Sequence, residues 1–160
     1  MVLIKNSQKL LKIKTRQLKR LIERLLIYLR LQDKHLSLFL TDNKGITRLN
    51  KRYFNKDKPT NVISFSYMEN INHTLEENII GDIAISVEMA DYEAKISGCT
   101  FSERLVELII HGLVHILGFD HETGAKEARR MRYRERKLLK YISQQNVYRE
   151  FVLKKIEHEA

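Results

Sequence analysis

Residues 100–121 read TFSERLVELIIHGLVHILGFDH. The stretch opens with a capping box, Thr100-Phe101-Ser102-Glu103, in which a hydroxyl and a carboxylate three residues apart satisfy the first free N–H groups of a helix. The helix predicted from it runs through Leu105 to Leu117 and stops at Gly118, a residue that readily takes the left-handed turn ending a helix. His111 and His115 are four residues apart, so they share one face. The reversal at Gly118 brings His121 back towards the same point. Three neutral imidazoles around one open position are the ligand set of a catalytic zinc site.

The remaining elements follow outward from this helix. Val2 to Ile4 is a first strand, and from Thr15, read as an N-cap, the run TRQLKRLIERLLIYLRL places Leu18, Leu21, Ile22, Leu25, Leu26 and Leu29 at helical spacing. Leu36 to Leu40 is extended, with Asp42 to Gly45 as its turn, and Ile46 to Tyr53 is a short helix. After Pro59, Asn61 to Ser66 alternates apolar and polar residues as a strand does. Tyr67 to Asn78 is a polar loop, Ile79 to Val87 a further strand, and Glu88 to Ile96 a helix ending at Gly98. A last helix covers about Gly124 to Tyr141, and a basic tail follows from about Gln144. This order implies a small α+β domain over residues 1–160: a mixed β-sheet with surrounding helices, and the zinc site on a central helix and the turn after it. The 160 residues suit one domain, and no linker-like tract divides them.

Composition narrows the setting. No apolar run is long enough to cross a bilayer. The N-terminal apolar stretch is soon broken by lysines and does not read as a signal peptide. A single cysteine, Cys99, excludes an intrachain disulfide and fits a reducing compartment, so a cytoplasmic protein is expected. The net charge of +9 is unevenly spread. Residues 1–58 hold 16 Lys and Arg against 4 Asp and Glu, residues 59–121 hold 2 against 10, and residues 122–160 hold 11 against 6. Basic flanks around an acidic centre suit a protein that grips a polyanion and keeps a cation in its middle, although lysine-rich helices are also ordinary solvated faces.

The histidines sit at relative positions 1, 5 and 11 with glycine at 8, the spacing of the three-histidine zinc pattern of metzincin proteases. Those enzymes place a general-base Glu directly after the first histidine, where this chain has Gly112, which disfavours a protease. A structural zinc is the main rival and would bring a fourth protein ligand, which Asp120 or Glu122 could supply. Asp120 is otherwise an acceptor that orients an imidazole, or simply a turn residue. His35, His73 and His158 have no partner spacing and read as surface residues. Lys51, Arg52, Lys56 and Lys58 are candidate phosphate contacts, set against an ordinary solvated basic loop.

The string HGLVHILGFDH resembles the HG-x-x-H-x-x-G-x-DH signature of the YbeY-type endoribonucleases, metal-dependent enzymes of ribosomal RNA maturation and ribosome quality control. Leu49-Asn50-Lys51-Arg52-Tyr53 with Lys56-Asp57-Lys58-Pro59-Thr60-Asn61-Val62-Ile63-Ser64-Phe65 is similar to that family's L-N-x-x-Y and K-D-x-P-T-[DN]-V-L-S-F blocks. Gly81-Asp82-Ile83-Ala84-Ile85-Ser86 is similar to its G-D-I-x-I-S strand. The three blocks stand in the family's order within about residues 36 to 140. The resemblance implies one zinc ion per chain held by His111, His115 and His121, which act in catalysis through the water it binds. It also implies hydrolysis of single-stranded RNA, ribosomal RNA or ribosomal subunits as partners, and Pro59, Thr60 and Ser64 near the cleft. The family usually has Arg directly after Tyr53; here Phe54 stands there, leaving Arg52 or Lys56 for the phosphate. Two other classes fit the same residues: a zinc-dependent hydrolase of a small or peptide substrate, and a non-catalytic ribosome-associated RNA-binding factor.

Overall fold

In the computed structural model, which describes residues 1–68, 78–118 and 124–153, the elements run β1 (Val2–Asn6), α1 (Thr15–Tyr28), β2 (His35–Thr41), α2 (Asn43–Phe54), β3 (Val62–Ser66), β4 (Ile79–Ser86), α3 (Val87–Ser97), α4 (Phe101–Ile116), α5 (Ala125–Ser143) and α6 (Asn146–Leu153). The strands form one mixed sheet in the order β1-β2-β4-β3. β1 pairs parallel with β2, and β2 with β4, in the register Leu38 to Ile83. Parallel neighbours need a crossover connection, which α1 supplies between β1 and β2. β3 is the antiparallel edge strand, with Ser64 opposite Ile83 and Phe65 opposite Asp82. The sheet is therefore mixed and the fold α+β, as the sequence implies.

Alternation along the strands sorts side chains onto two faces. On one face Leu36, Leu38, Leu40, Ile83 and Ile85 join Leu18, Leu21, Ile22, Leu25 and Leu26 of α1 and the apolar residues of α4 in the main core. On the other, α2 closes a small second cluster, Ile46 with Ile63 and Ala84, against which Phe39, Leu49 and Phe65 pack. Paired residues point the same way, so Ser64 shares the α4 side with Ile83, and Phe65 faces the α2 side. α5 and α6 complete the α4 side, where Leu138, Ile142, Phe151 and Val152 are buried in the main core.

Four details depart from the sequence reading. Thr15 is the first helical residue rather than the N-cap; Lys14 holds that position without a side-chain bond, and its carbonyl already accepts the helical N–H of Leu18 at 3.0 Å. Asp42 does not turn a loop but caps α2, accepting from Gly45 N at 2.8 Å, because an Asx side chain serves a turn and an N-cap equally well. The basic tail expected from Gln144 is replaced over Asn146–Leu153 by α6, whose Phe151 and Val152 fill space beside α1 and α5 that local sequence does not reveal. His35 begins β2 half-buried, its Nδ1 covered, rather than lying on the surface. Among the described residues no helix is long and apolar enough to cross a membrane.

Candidate active site

α4 is the element that positions the histidines. Thr100 caps it as the box predicts, its side-chain oxygen accepting from Glu103 N at 3.1 Å. At the other end Leu117 and Gly118 donate to the carbonyls of Leu113 and His115, and Gly118 takes φ +88°, a left-handed conformation that glycine adopts without a Cβ clash. Between these ends one stripe of α4 is buried against the sheet and the opposite stripe carries His111 and His115.

The two imidazoles meet edge to face, with ring centroids 4.4 Å apart, and their Nε2 atoms face one another at 2.9 Å. Two imidazoles bound to one zinc at about 2.0–2.1 Å each would stand only slightly further apart. Behind His111, Nδ1 donates to Glu135 Oε1 of α5 at 2.5 Å. A carboxylate can only accept, so this bond keeps the proton on Nδ1 and turns the Nε2 lone pair towards His115. A carboxylate behind a ligating imidazole is the usual means of fixing its tautomer and raising its basicity. The donors present therefore fit a divalent cation such as zinc. His121 and Asp120 lie outside the described residues, as do His73 and His158, and the described residues alone make no three-ligand cluster.

Glu135 is the site residue that sequence reasoning missed. It lies three residues before Leu138 and seven before Ile142, the two buried residues of α5, so it belongs to the inward stripe of a strongly basic helix. An acidic residue on that stripe is a signal, but only the packing of α5 on α4 shows which histidine it meets.

Gly112 has a packing explanation. A Cβ there would meet three side-chain atoms of Ile83 at 3.1 to 3.2 Å. The residue after the first histidine thus faces the sheet at close approach, where a carboxylate would be driven into the core.

Edge strand β3 is clamped along α4 at both ends. Asn61 donates to both carboxylate oxygens of Glu93 at 3.2 Å, and Arg104 of α4 donates to Glu93 through Nε and Nη2 and to Glu107 through Nη1. At the far end Ser66 Oγ donates to the Ile116 carbonyl at 2.6 Å, satisfying a C-terminal acceptor of the helix. Ser64 lies between these clamps on the α4 side. Beside His111 a cleft of about 280 Å³ is lined by Asn61, Arg104, Glu107, Glu135 and Arg136 among others.

The other candidates are placed elsewhere. Arg52 is in the last turn of α2, on the opposite face of the sheet, with its guanidinium 5.5 Å from the centre of the Tyr53 ring. Asn55 then takes a left-handed conformation at φ +56°, and Lys56 to Pro59 follow as an exposed loop, with Thr60 half-buried at the approach to β3. That loop is held by Asn50, which is buried and donates to the Lys58 carbonyl at 2.9 Å.

The chain is similar to known proteins over most of its length. The family model described as endoribonuclease YbeY matches residues 3–143. An endoribonuclease YbeY of Geobacter metallireducens is 40% identical over 147 residues, 91% of this chain and 98% of that protein. That of Geobacter sulfurreducens is 44% identical over 138 residues, 86% and 92% of the two chains, and that of Aquifex aeolicus 37% over 142 residues, 89% and 91%. A Thermotoga maritima protein with a structure determined in solution is 25% identical, with a TM-score of 0.62 over 89% of each chain.

Proposed function

Because the chain belongs to the YbeY endoribonuclease family, we propose that it is a single-strand-specific, zinc-dependent endoribonuclease of ribosomal RNA maturation and ribosome quality control. It is a hydrolase of RNA phosphodiester bonds, acting in the cytoplasm on ribosomal RNA or ribosomal subunits. The observation that carries the metal reading is the convergence of His111 and His115 Nε2 at 2.9 Å with Glu135 bound behind His111. His121 is the third ligand of this proposal, on the sequence pattern. Zinc in that position would supply Lewis acidity towards a phosphate oxygen and make a water molecule acidic enough to ionise near neutral pH.

The chain's own groups do the rest. Glu135 holds the His111 proton on Nδ1. Pro59 and Thr60 border the approach to β3, Ser64 lies within it, and Arg136 offers a cation to the substrate beside Glu135. Arg52 and Lys56 are candidates for more distant phosphates. Asp120 is kept as a second acceptor for an imidazole. The close contact between Gly112 and Ile83 weighs against peptide hydrolysis, since a base at that position would have to displace Ile83 from the core.

The test is metal analysis combined with cleavage of a single-stranded RNA by the purified protein and by His115→Ala. The expected result is one zinc per chain, cleavage abolished by chelation, and both metal and cleavage lost in the variant. Protein without stoichiometric metal, or cleavage indifferent to chelators, would refute the reading.

A further inference from the structure

Across the sheet from the histidines, the end of α2 and strand β3 carry a group of aromatic rings that the proposed chemistry does not use. Phe54 lies parallel to Phe65, interplanar angle 10° and centroids 6.1 Å apart. Tyr53 meets the same Phe65 edge to face at 4.9 Å. Phe65 is half-buried and anchored in β3, whereas Phe54 is 48% and Tyr53 53% exposed. Two large apolar rings are thus held in fixed orientation by a third while much of their own surface faces water, an arrangement that folding alone does not reward. Next to them Tyr53 and Phe65 line a cavity of about 400 Å³ floored by Phe39, Ser37 and Ala84, with Tyr67 and Asp82 at its rim.

The charges around the rings select the occupant. Lys51, Arg52, Lys56 and Lys58 are all exposed within eight residues. The one acid among them, Asp57, makes only a long contact of 3.9 Å with Lys51. A second copy of this chain would bring the same cations against them, and an acidic peptide would leave the ring faces unused. An unpaired nucleic-acid strand supplies both complements, phosphates for the cations and flat π-faces for the rings. Arg52, already over the Tyr53 ring, adds the cation–π contact that favours such stacking.

We propose that Phe54 and Tyr53, braced by Phe65, form a base-stacking subsite for single-stranded RNA on the α2 side of edge strand β3. This rests on the endoribonuclease reading and extends it: the strand is held by its bases on one side of β3 and cut at the histidines on the other. Stacking is indifferent to sequence, so the subsite sets a requirement for unpaired bases rather than for a particular base. Phe54 is the stronger element because its ring lies parallel to its brace rather than edge-on.

The chain contains no tryptophan, so F54W introduces a single reporter at the subsite. Oligoadenylate should quench its fluorescence at saturation, while an abasic strand of equal length, carrying the same phosphates without bases, should not. Phe54→Ala should weaken oligoadenylate binding about tenfold, leaving its salt dependence and the affinity for the abasic strand unchanged. Tyr53→Leu should give a smaller loss of the same kind. Oligoadenylate that binds F54W by anisotropy without altering its emission would overturn the subsite, as would a Phe54→Ala loss equal for both strands. In either case the endoribonuclease reading would stand. Failure of the unaltered protein to bind either strand would remove that reading and the subsite with it.

Discussion

Glu135 turns a pair of histidines into an oriented pair. Its bond to His111 Nδ1 at 2.5 Å leaves Nε2 as the only lone pair that ring can offer, and partners of this kind typically contribute ten- to a hundredfold in metal affinity or activity. Glu135→Ala should therefore lower zinc affinity by about that factor, measured by competition with a chelator. Glu135→Gln, which keeps an acceptor but loses the charge, should fall between. Equal affinity in all three proteins would mean that the imidazole is oriented by other groups. A second residue-scale effect is independent of metal. The Tyr67 hydroxyl donates to Asp82 Oδ2, and this bond, with some burial and the adjacent negative charge, raises the phenol to about 12 from its usual 10. A tyrosine whose pKa is raised on folding stabilises the fold fully below pH 10 and loses that contribution as pH climbs through 12. Tyr67→Phe should flatten the fall in denaturant midpoint between pH 10 and pH 12. An identical fall in both proteins would place that linkage elsewhere.

At the scale of elements, α4 was readable almost to the residue because its signals are local. The Thr100 cap, the glycine stop at 118 and the i, i+4 histidines each act within a turn of chain. The alternation of β3 and the glycine-aspartate pair within β4 are local in the same sense. α6 was not readable, since its apolar residues have meaning only against α1 and α5, and Glu135 was missed for the same reason. Asp42 reads as a turn residue in the sequence because capping and turning draw on one side-chain geometry. Gly112 lies between these cases: its departure from the protease pattern is plain in the sequence, but its reason is tertiary, a helix lying so close on β4 that a Cβ would stand 3.1 Å from Ile83. Gly112→Glu should accordingly fail as a way of installing a protease base. It would bury a carboxylate with no partner, at a cost of at least several kcal/mol, and thermal melting should show a protein that is unfolded or severely destabilised. A stable Gly112→Glu protein with full metal content would contradict the packing argument.

The whole molecule separates its charges along the chain, and folding keeps some of that separation in space. The cations of residues 51–58 lie on the α2 side of the sheet, those of α5 lie on the α4 side, and the acidic stretch between them supplies Asp82, Glu88 and Glu93 around β4 and α3. An RNA strand reaching the histidines while its bases rest on α2 would meet cations at both ends of its path. Each phosphate neutralised on a single strand releases counterions and steepens the fall of log K with log salt by about 0.7. Binding of single-stranded RNA should therefore weaken steeply between low and physiological salt, and a flat dependence would favour a small or peptide substrate. The two loop cations should differ. Arg52 is held over the Tyr53 ring, whereas Lys56 extends from the exposed loop beyond the left-handed Asn55. Lys56→Ala should reduce the salt slope by about 0.7 and slow cleavage roughly tenfold to a hundredfold, as expected for a charged contact of about 1–3 kcal/mol. Arg52→Ala should change the slope less and act mainly through the ring it covers. Slopes unaltered by both substitutions would move the phosphate path from this loop to the arginines of α5.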